Sequence, residues 1–227
     1  MQIDNSKVKI KMNPAQHINQ TSGKVEYYTP PEIIEPVRKT MGAIDLDPAS
    51  SDKANKIVGA SHIYRQPSYT TFHSEQYSHP IRLYESRGGL DFPWHGRIWL
   101  NAPFTTGEKG CETGCKKKTC IKRGWHSATP LPSTGDWIEK LVHEYKKGNI
   151  TTACTITFAS TSESWFKPLK PYAMCLIDGR THYLDSETLK PIKGATKGSI
   201  VTYLGPDVAA FARAFAELGE VKVSYQA

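Results

Sequence analysis

The hydrophobic positions of this chain recur with helical spacing in three places and with strand-like spacing in several short runs between them. Tyr28-Thr29-Pro30-Pro31 reads as a helix start, with Thr29 in the capping position and proline in the first turn, where its missing N–H is harmless. Ile33, Ile34, Val37 and Met41 then share one face, and Pro36 is expected to bend or shorten the helix. A second stripe, Trp137, Ile138, Leu141, Val142 and Tyr145, is predicted to pack on the core, with Asp136 as cap, Glu139 reaching back and Gly148 ending the helix. The third helix runs from Asp207 to Leu218. Strand signals lie at Ala43 to Ser50, Arg97 to Leu100, Thr151 to Phe158, Ala173 to Ile177 and Ser199 to Leu204, with Val221 to Tyr225 alternating like an edge strand. Tyr64, Tyr69, Phe72 and Tyr77, interleaved with His62, His73 and His79, read as an irregular loop packed on the sheet, with base contact as the alternative. Helices alternating with strands predict an α/β three-layer architecture around a central, mostly parallel sheet. No repeat or dividing linker is seen, so residues 25–227 read as one domain behind a polar, aperiodic and flexible arm at residues 1–24.

At 227 residues, 38% hydrophobic and 22% charged, the chain can bury a sizeable core. A formal charge of +7 favours a polyanionic partner, although it also fits solubility. No apolar run approaches the roughly 18 residues needed to cross a bilayer, and no charged-then-apolar leader is seen. A cytoplasmic protein without a membrane partner is the expectation.

Two short segments carry candidate chemistry. Asn101-Ala102-Pro103-Phe104 places an amide, a tight turn and an aromatic ring at the mouth of a strand. The exocyclic amine of adenine is a poor nucleophile because its lone pair is delocalised into the ring. An Asn side-chain oxygen and the next backbone carbonyl can both accept hydrogen bonds from it, favouring a tetrahedral nitrogen able to attack a sulfonium methyl. Pro103 stiffens the turn, and Phe104 offers a ring to a base taken out of the helix. An ordinary strand-to-loop turn is the plain alternative. The second segment, Asp45-Leu46-Asp47-Pro48-Ala49-Ser50, brings acid, proline and small residues to a strand end, where α/β sheets receive ligands. A ligand that is both cationic and hydroxylated, as S-adenosylmethionine is, suits it.

The turn resembles the Asn-Pro-Pro-aromatic site of amino-group DNA methyltransferases, with Ala102 in place of the first proline. That change keeps the backbone carbonyl and removes some rigidity. Tyr28-Thr29-Pro30, Leu46-Asp47-Pro48-Ala49 with Asn55 following, and Gly89-Leu90 leading to Trp94-x-Gly96 precede it; Trp137, Trp165-Phe166 and Asp178-Gly179-Arg180 follow. In this order they are similar to the phage-type Dam family of DNA N6-adenine methyltransferases, over residues 25–205 or so. The resemblance implies a Rossmann-like S-adenosylmethionine-dependent methyltransferase fold. It implies that Tyr28, Thr29, Pro30, Asp47, Pro48 and Ala49 hold the cofactor, with Asp45 beside them and Asp91 offered to its adenine. For Asp45 a turn or capping role stays open, and for Asp91 the assignment is one of two equal readings.

Residues 105–135 depart from that family. Cys111, Cys115, Cys120 and His126, spaced C-x3-C-x4-C-x5-H, are enough to surround a tetrahedral zinc ion. Free cysteines and a disulfide are the alternatives, and a disulfide would leave one thiol over in a reducing compartment. Cys154 and Cys175 fall in apolar strands and read as core. A short polar insertion has no core of its own, so a structural zinc would supply its folding energy. It would then display Lys116, Lys117, Lys118, Lys122 and Arg123 to phosphates, giving affinity rather than sequence choice; a solvated charge run is the plain alternative.

The functional expectation is methyl transfer from S-adenosylmethionine to the N6 amine of a flipped adenine in DNA, as in phage protection or restriction-modification. Cytosine N4 methylation, an RNA substrate and a zinc-containing nucleic-acid-binding protein without catalysis are the competing readings. Oligomeric state is not legible.

Overall fold

The computed structural model describes residues 27–65, 68–192 and 197–223. The expected N-terminal arm and the end of the expected edge strand at 221–225 lie outside the described residues. Seven strands form the large sheet: β1 (Leu46–Ser50), β2 (His62–Arg65), β3 (Gly96–Leu100), β4 (Ile150–Phe158), β5 (Ala173–Ile177), β6 (Ser199–Leu204) and β7 (Gly219–Lys222). Their spatial order is β7-β5-β6-β4-β3-β1-β2. The pairs β2/β1, β1/β3 and β3/β4 are parallel; β4/β6, β6/β5 and β5/β7 are antiparallel. The expected mostly parallel sheet is therefore corrected to a mixed one. Parallel neighbours need long crossovers, usually helical, and beyond Phe158 the described residues contain one α-helix, Val208–Phe215.

The helices are α1 (Pro31–Met41), α2 (Asp52–Val58), α3 (Lys118–Arg123), α4 (Thr134–Lys146) and α5 (Val208–Phe215). Side chains alternate across a sheet, so Trp99, Cys154, Ile156 and Val201 face one side, while Ile98, Leu100, Ala153 and Ile200 face the other. α1 and α5 cover the first side with Ile33, Ile34, Val37, Phe211 and Phe215. α4 covers the second with Trp137, Ile138, Leu141 and Val142. Each large apolar side chain so buried contributes about 1.5–3 kcal/mol, and both faces of the sheet are held this way.

Local details differ from the pattern reading. α1 starts after Pro30 without a side-chain cap, so Thr29 is not its cap, and the helix runs through buried Pro36 to Met41. α4 is capped by Ser133. Its hydroxyl accepts from the Asp136 N–H, and the Asp136 carboxylate accepts from the Ser133 N–H at 2.6 Å. Asp136 thus takes the reaching-back role expected of Glu139.

The stretch expected to be a loop is strand at His62–Arg65 and Tyr69–Phe72 and irregular from His73 to His79. It begins with β2, after which Tyr69–Phe72 pairs antiparallel with Ile81–Tyr84, and His126–Ser127 adds parallel to the latter. The residue 105–135 insertion and this hairpin therefore build one lobe. The lobe joins the large domain through a neck in which Thr106–Glu108 pairs antiparallel with Leu131–Ser133. Among the described residues, no helix is long and apolar enough to cross a membrane.

Candidate functional site

β1 and β3 are adjacent and parallel, so their carboxyl ends open on the same side. A narrow pocket of about 40 Å³ lies there, and its lining includes Tyr28, Thr29, Asp47, Ala49 and all of Asn101, Ala102, Pro103 and Phe104. Pro48 lines an adjoining cleft, and Pro30 is buried just before α1. Segments far apart in sequence are thus brought to one place. Asp45 and Asp91 are not brought there. Asp45 precedes the amino end of β1 and accepts a fork from Arg97, Nε to Oδ2 at 2.9 Å and Nη2 to Oδ1 at 2.7 Å. These hydrogen bonds hold its carboxyl below the usual range. A Cβ on Gly96 would come within 2.5 Å of Asp45 Oδ2, so glycine there makes room for the pair. Asp91, exposed, accepts from the Arg87 backbone N–H at 2.6 Å and from its Nε at 2.7 Å, which also lowers its pKa. Gly89, before it, lets this turn press on β1: a Cβ would sit 2.0 Å from the Pro48 oxygen.

The orientation of Asn101 is fixed by its partners. Nδ2 donates to the Tyr27 carbonyl at 2.8 Å and to Thr29 Oγ1 at 3.1 Å. A carbonyl can only accept, so the amide NH2 must face it, and Oδ1 is the atom left for a ligand. Rigidity beyond Pro103 comes from the start of α4. Thr134 Oγ1 donates to the Pro103 carbonyl at 2.8 Å and accepts from the Thr105 N–H at 3.0 Å. Phe104 stacks on Phe158, with centroids 4.0 Å apart, and meets Tyr183 edge-on. Asp47 is buried, and its Oδ1 accepts from the Ala49 N–H at 3.2 Å. Burial pushes its carboxyl up to about 6. Asn55 lies outside the pocket lining, where both ends of its amide bind the Ala60 backbone at 2.8 and 3.0 Å and hold the turn after α2.

In the lobe, one ligand atom from each of Cys111, Cys115, Cys120 and His126 falls within 4.8 Å of all the others. Cys111 Sγ and Cys120 Sγ are 3.5 Å apart, and all the cysteines are free thiols. A tetrahedron with zinc–sulfur arms of about 2.3 Å has edges of about 3.8 Å, so the group can hold such an ion. His126 is buried; its Nε2 lies 3.4 Å from Ser78 Oγ, and its Nδ1 has no partner. A buried nitrogen left without a partner is costly, and a metal would satisfy it. The Lys117 backbone N–H holds the Cys115 thiol below its usual value, while burial pushes Cys120 up to about 11 and His126 down. Apart from Ile81, the residues this lobe buries are Cys111, Cys120, His126 and Ser127, and none of these belongs to an apolar cluster of the domain. Cys154 and Cys175 are buried in β4 and β5.

A cleft of about 580 Å³ separates pocket and lobe and shares Ala49 and Pro103 with the pocket. Its cationic lining is Arg65, Arg82, Arg87 and Arg123. Lys116, Lys117, Lys118 and Lys122 are exposed on the lobe but do not line the cleft, and Lys117 Nζ donates to the Lys109 carbonyl. Arg123 does line it, paired with Glu108 at 2.7 Å and lying 3.8 Å over the Trp125 ring. The sequence reading missed Arg65, Arg82, Arg87 and Trp125; the alternating Arg82-x-Tyr84 was the available signal. No family model, curated protein or solved structure matches the chain.

Proposed function

We propose that this protein is an S-adenosylmethionine-dependent DNA methyltransferase acting on the N6 amine of adenine, with its pocket on a Rossmann-like half-sheet and a structural zinc ion in the lobe. The observation that carries this reading is the amide of Asn101. Two donor contacts fix its NH2, so Oδ1 meets an incoming amine already oriented, and no reorganisation is needed as the nitrogen becomes tetrahedral. The Ala102 carbonyl is the second acceptor. Thr134 restrains the turn in which the first proline of the pattern is missing. When bound, S-adenosylmethionine supplies the methyl group, its C–S bond breaking as the amine lone pair forms the C–N bond and the amine proton leaves to water. Asp47, ionised at neutral pH above its pKa of about 6, offers negative charge to that cationic group. Pro48 and Ala49 wall the same strand end, and Phe104 would stack on the flipped base.

Zinc is favoured by the donor set of three thiols and one imidazole, which closes a tetrahedron and leaves no open position for chemistry. The test is transfer of a labelled methyl group to unmodified duplex DNA, followed by digestion and nucleoside identification. N6-methyladenine is expected. N4-methylcytosine would keep the mechanism and change the base. No product from folded, zinc-loaded protein would overturn the assignment.

A further inference from the structure

The small sheet of the lobe has two faces of opposite chemistry. Tyr69 pairs with Tyr84 and Thr71 with Arg82 across one ladder, and Arg82 pairs with Ser127 across the other. With period-two alternation, Tyr69, Arg82 and Tyr84 share a face, and Trp125, two residues before Ser127, joins them. Ile81 and His126, also a cross-strand pair, belong to the other face, where His126 completes the thiol cluster. Tyr69, Arg82, Tyr84 and Trp125 line the cleft; Ile81 and His126 do not.

On the cleft face, the Arg82 guanidinium lies 4.3 Å from the Tyr69 ring centre and 4.2 Å from that of Trp125, the two rings arriving from the strands on either side. Rings against the flat faces of a guanidinium hold its plane and leave its N–H donors around the edge. Arg65, Arg87 and Arg123 pair with Asp52, Asp91 and Glu108. Arg82 has no ion-pair partner among the described residues. Glu108 is the one acidic residue lining the cleft, against four arginines. Such a surface suits a polyanion that also carries flat rings.

We infer that this face grips the DNA strand beside the target base, Arg82 taking a backbone phosphate through its N–H edge and Tyr69, 44% exposed, stacking on an opened neighbouring base. Naming the polyanion as DNA rests on the methyltransferase reading, because the cleft adjoins the pocket of Asn101. The cluster on the opposite face fixes the register of His126 and hence the position of Trp125.

Fluorescence anisotropy of the zinc-loaded full chain with labelled duplex DNA tests this. Arg82→Gln is expected to weaken binding about tenfold or more and to reduce the log-affinity against log-salt slope by about one. Zinc content and thermal stabilisation by S-adenosylmethionine should match the native protein. Lys39→Gln, on the far side of the sheet, should leave affinity unchanged. Native affinity and salt slope in Arg82→Gln would overturn the inference. In the unaltered protein, DNA should shield Arg82 from phenylglyoxal, read by peptide mass; equal modification with and without DNA would overturn it even if the variant failed to fold. The two readings fail separately. Loss of DNA affinity in Arg82→Gln, with no S-adenosylmethionine binding by the native chain, upholds the surface and removes the methyltransferase. N6-methyladenine formation with undiminished DNA affinity in Arg82→Gln does the reverse. Tighter binding of RNA than of DNA would overturn the choice of polymer.

Discussion

The pocket of Asn101 and the lobe of Cys111 face one cleft but are held by different physics. The pocket sits at the ends of β1 and β3, between two apolar clusters that cover both sides of the sheet. The lobe buries one aliphatic side chain, Ile81, while Leu83 and Ile121 are exposed, and it has a group of thiols and imidazole where a core would be. The first region owes its geometry to packing that persists whatever is bound. The second owes it to a ligand set that is costly to leave empty. One wall of the cleft is therefore held by packing, and the other by a group of thiols and imidazole that could hold a metal.

Chelation should break the comparison most visibly. Structural zinc sites contribute on the order of 10–16 kcal/mol, so a chelator is expected to unfold the lobe and open tryptic cuts at Lys116, Lys117, Lys118 and Lys122, while amides of β3 and β4 keep their protection from exchange. Simultaneous loss of protection in β4 would show that the two regions are one cooperative unit. Within the pocket, Asn101→Ala should lower the methyl-transfer rate by about 10²–10³-fold with the melting temperature and cofactor affinity little changed. Normal turnover would remove Asn101 from the chemistry.

Asp47 sharpens the contrast through pH. Its folded-state pKa, raised to about 6, lies above the unfolded value, so folding favours the protonated form. The stability penalty is absent below the unfolded pKa, grows as pH rises from about 4 to about 6 and is constant above that, reaching on the order of 3 kcal/mol. Asp47→Asn should flatten the stability profile across that window in denaturant titrations and weaken cofactor binding at neutral pH. A profile still sloping as in the native protein would assign the dependence elsewhere. The smallest effect is expected of Ser133→Ala, which removes the α4 cap at a cost of about 1 kcal/mol. Ser133 belongs to the neck and Thr134 to the pocket turn. A lowered melting temperature should therefore come with loosening on both sides of the cleft, measured by hydrogen exchange.

The elements legible in the sequence are the helices with one buried face and the apolar, β-branched strands. The stripes of α1 and α4 repeat with the period of their burial, and the runs at 151–158 and 199–204 are nearly continuous in apolar and β-branched residues because the sheet is covered on both sides. Strand direction was not legible, because the side-chain period is two for parallel and antiparallel neighbours alike. The contiguous turn at 101–104 could be read, whereas its orienting partners Tyr27 and Thr29 lie 74 and 72 positions away. The hairpin at 69–84 escaped because neither of its faces is packed on an apolar core: one carries arginine and aromatic rings for the cleft, and on the other Phe72 and Leu83 stay exposed beside buried Ile81.

The neck carries a consequence for how such a chain can be assembled. Thr106 and Ser133 are cross-strand partners, so the segment between them leaves and re-enters the domain at neighbouring points. Its length imposes no gap on the sheet. It can be exchanged for a tight two-strand return, leaving the Tyr69–Phe72 and Ile81–Tyr84 hairpin behind with Ile81 uncovered. The cysteine-rich segment is in that sense a removable cassette, and the hairpin is its socket.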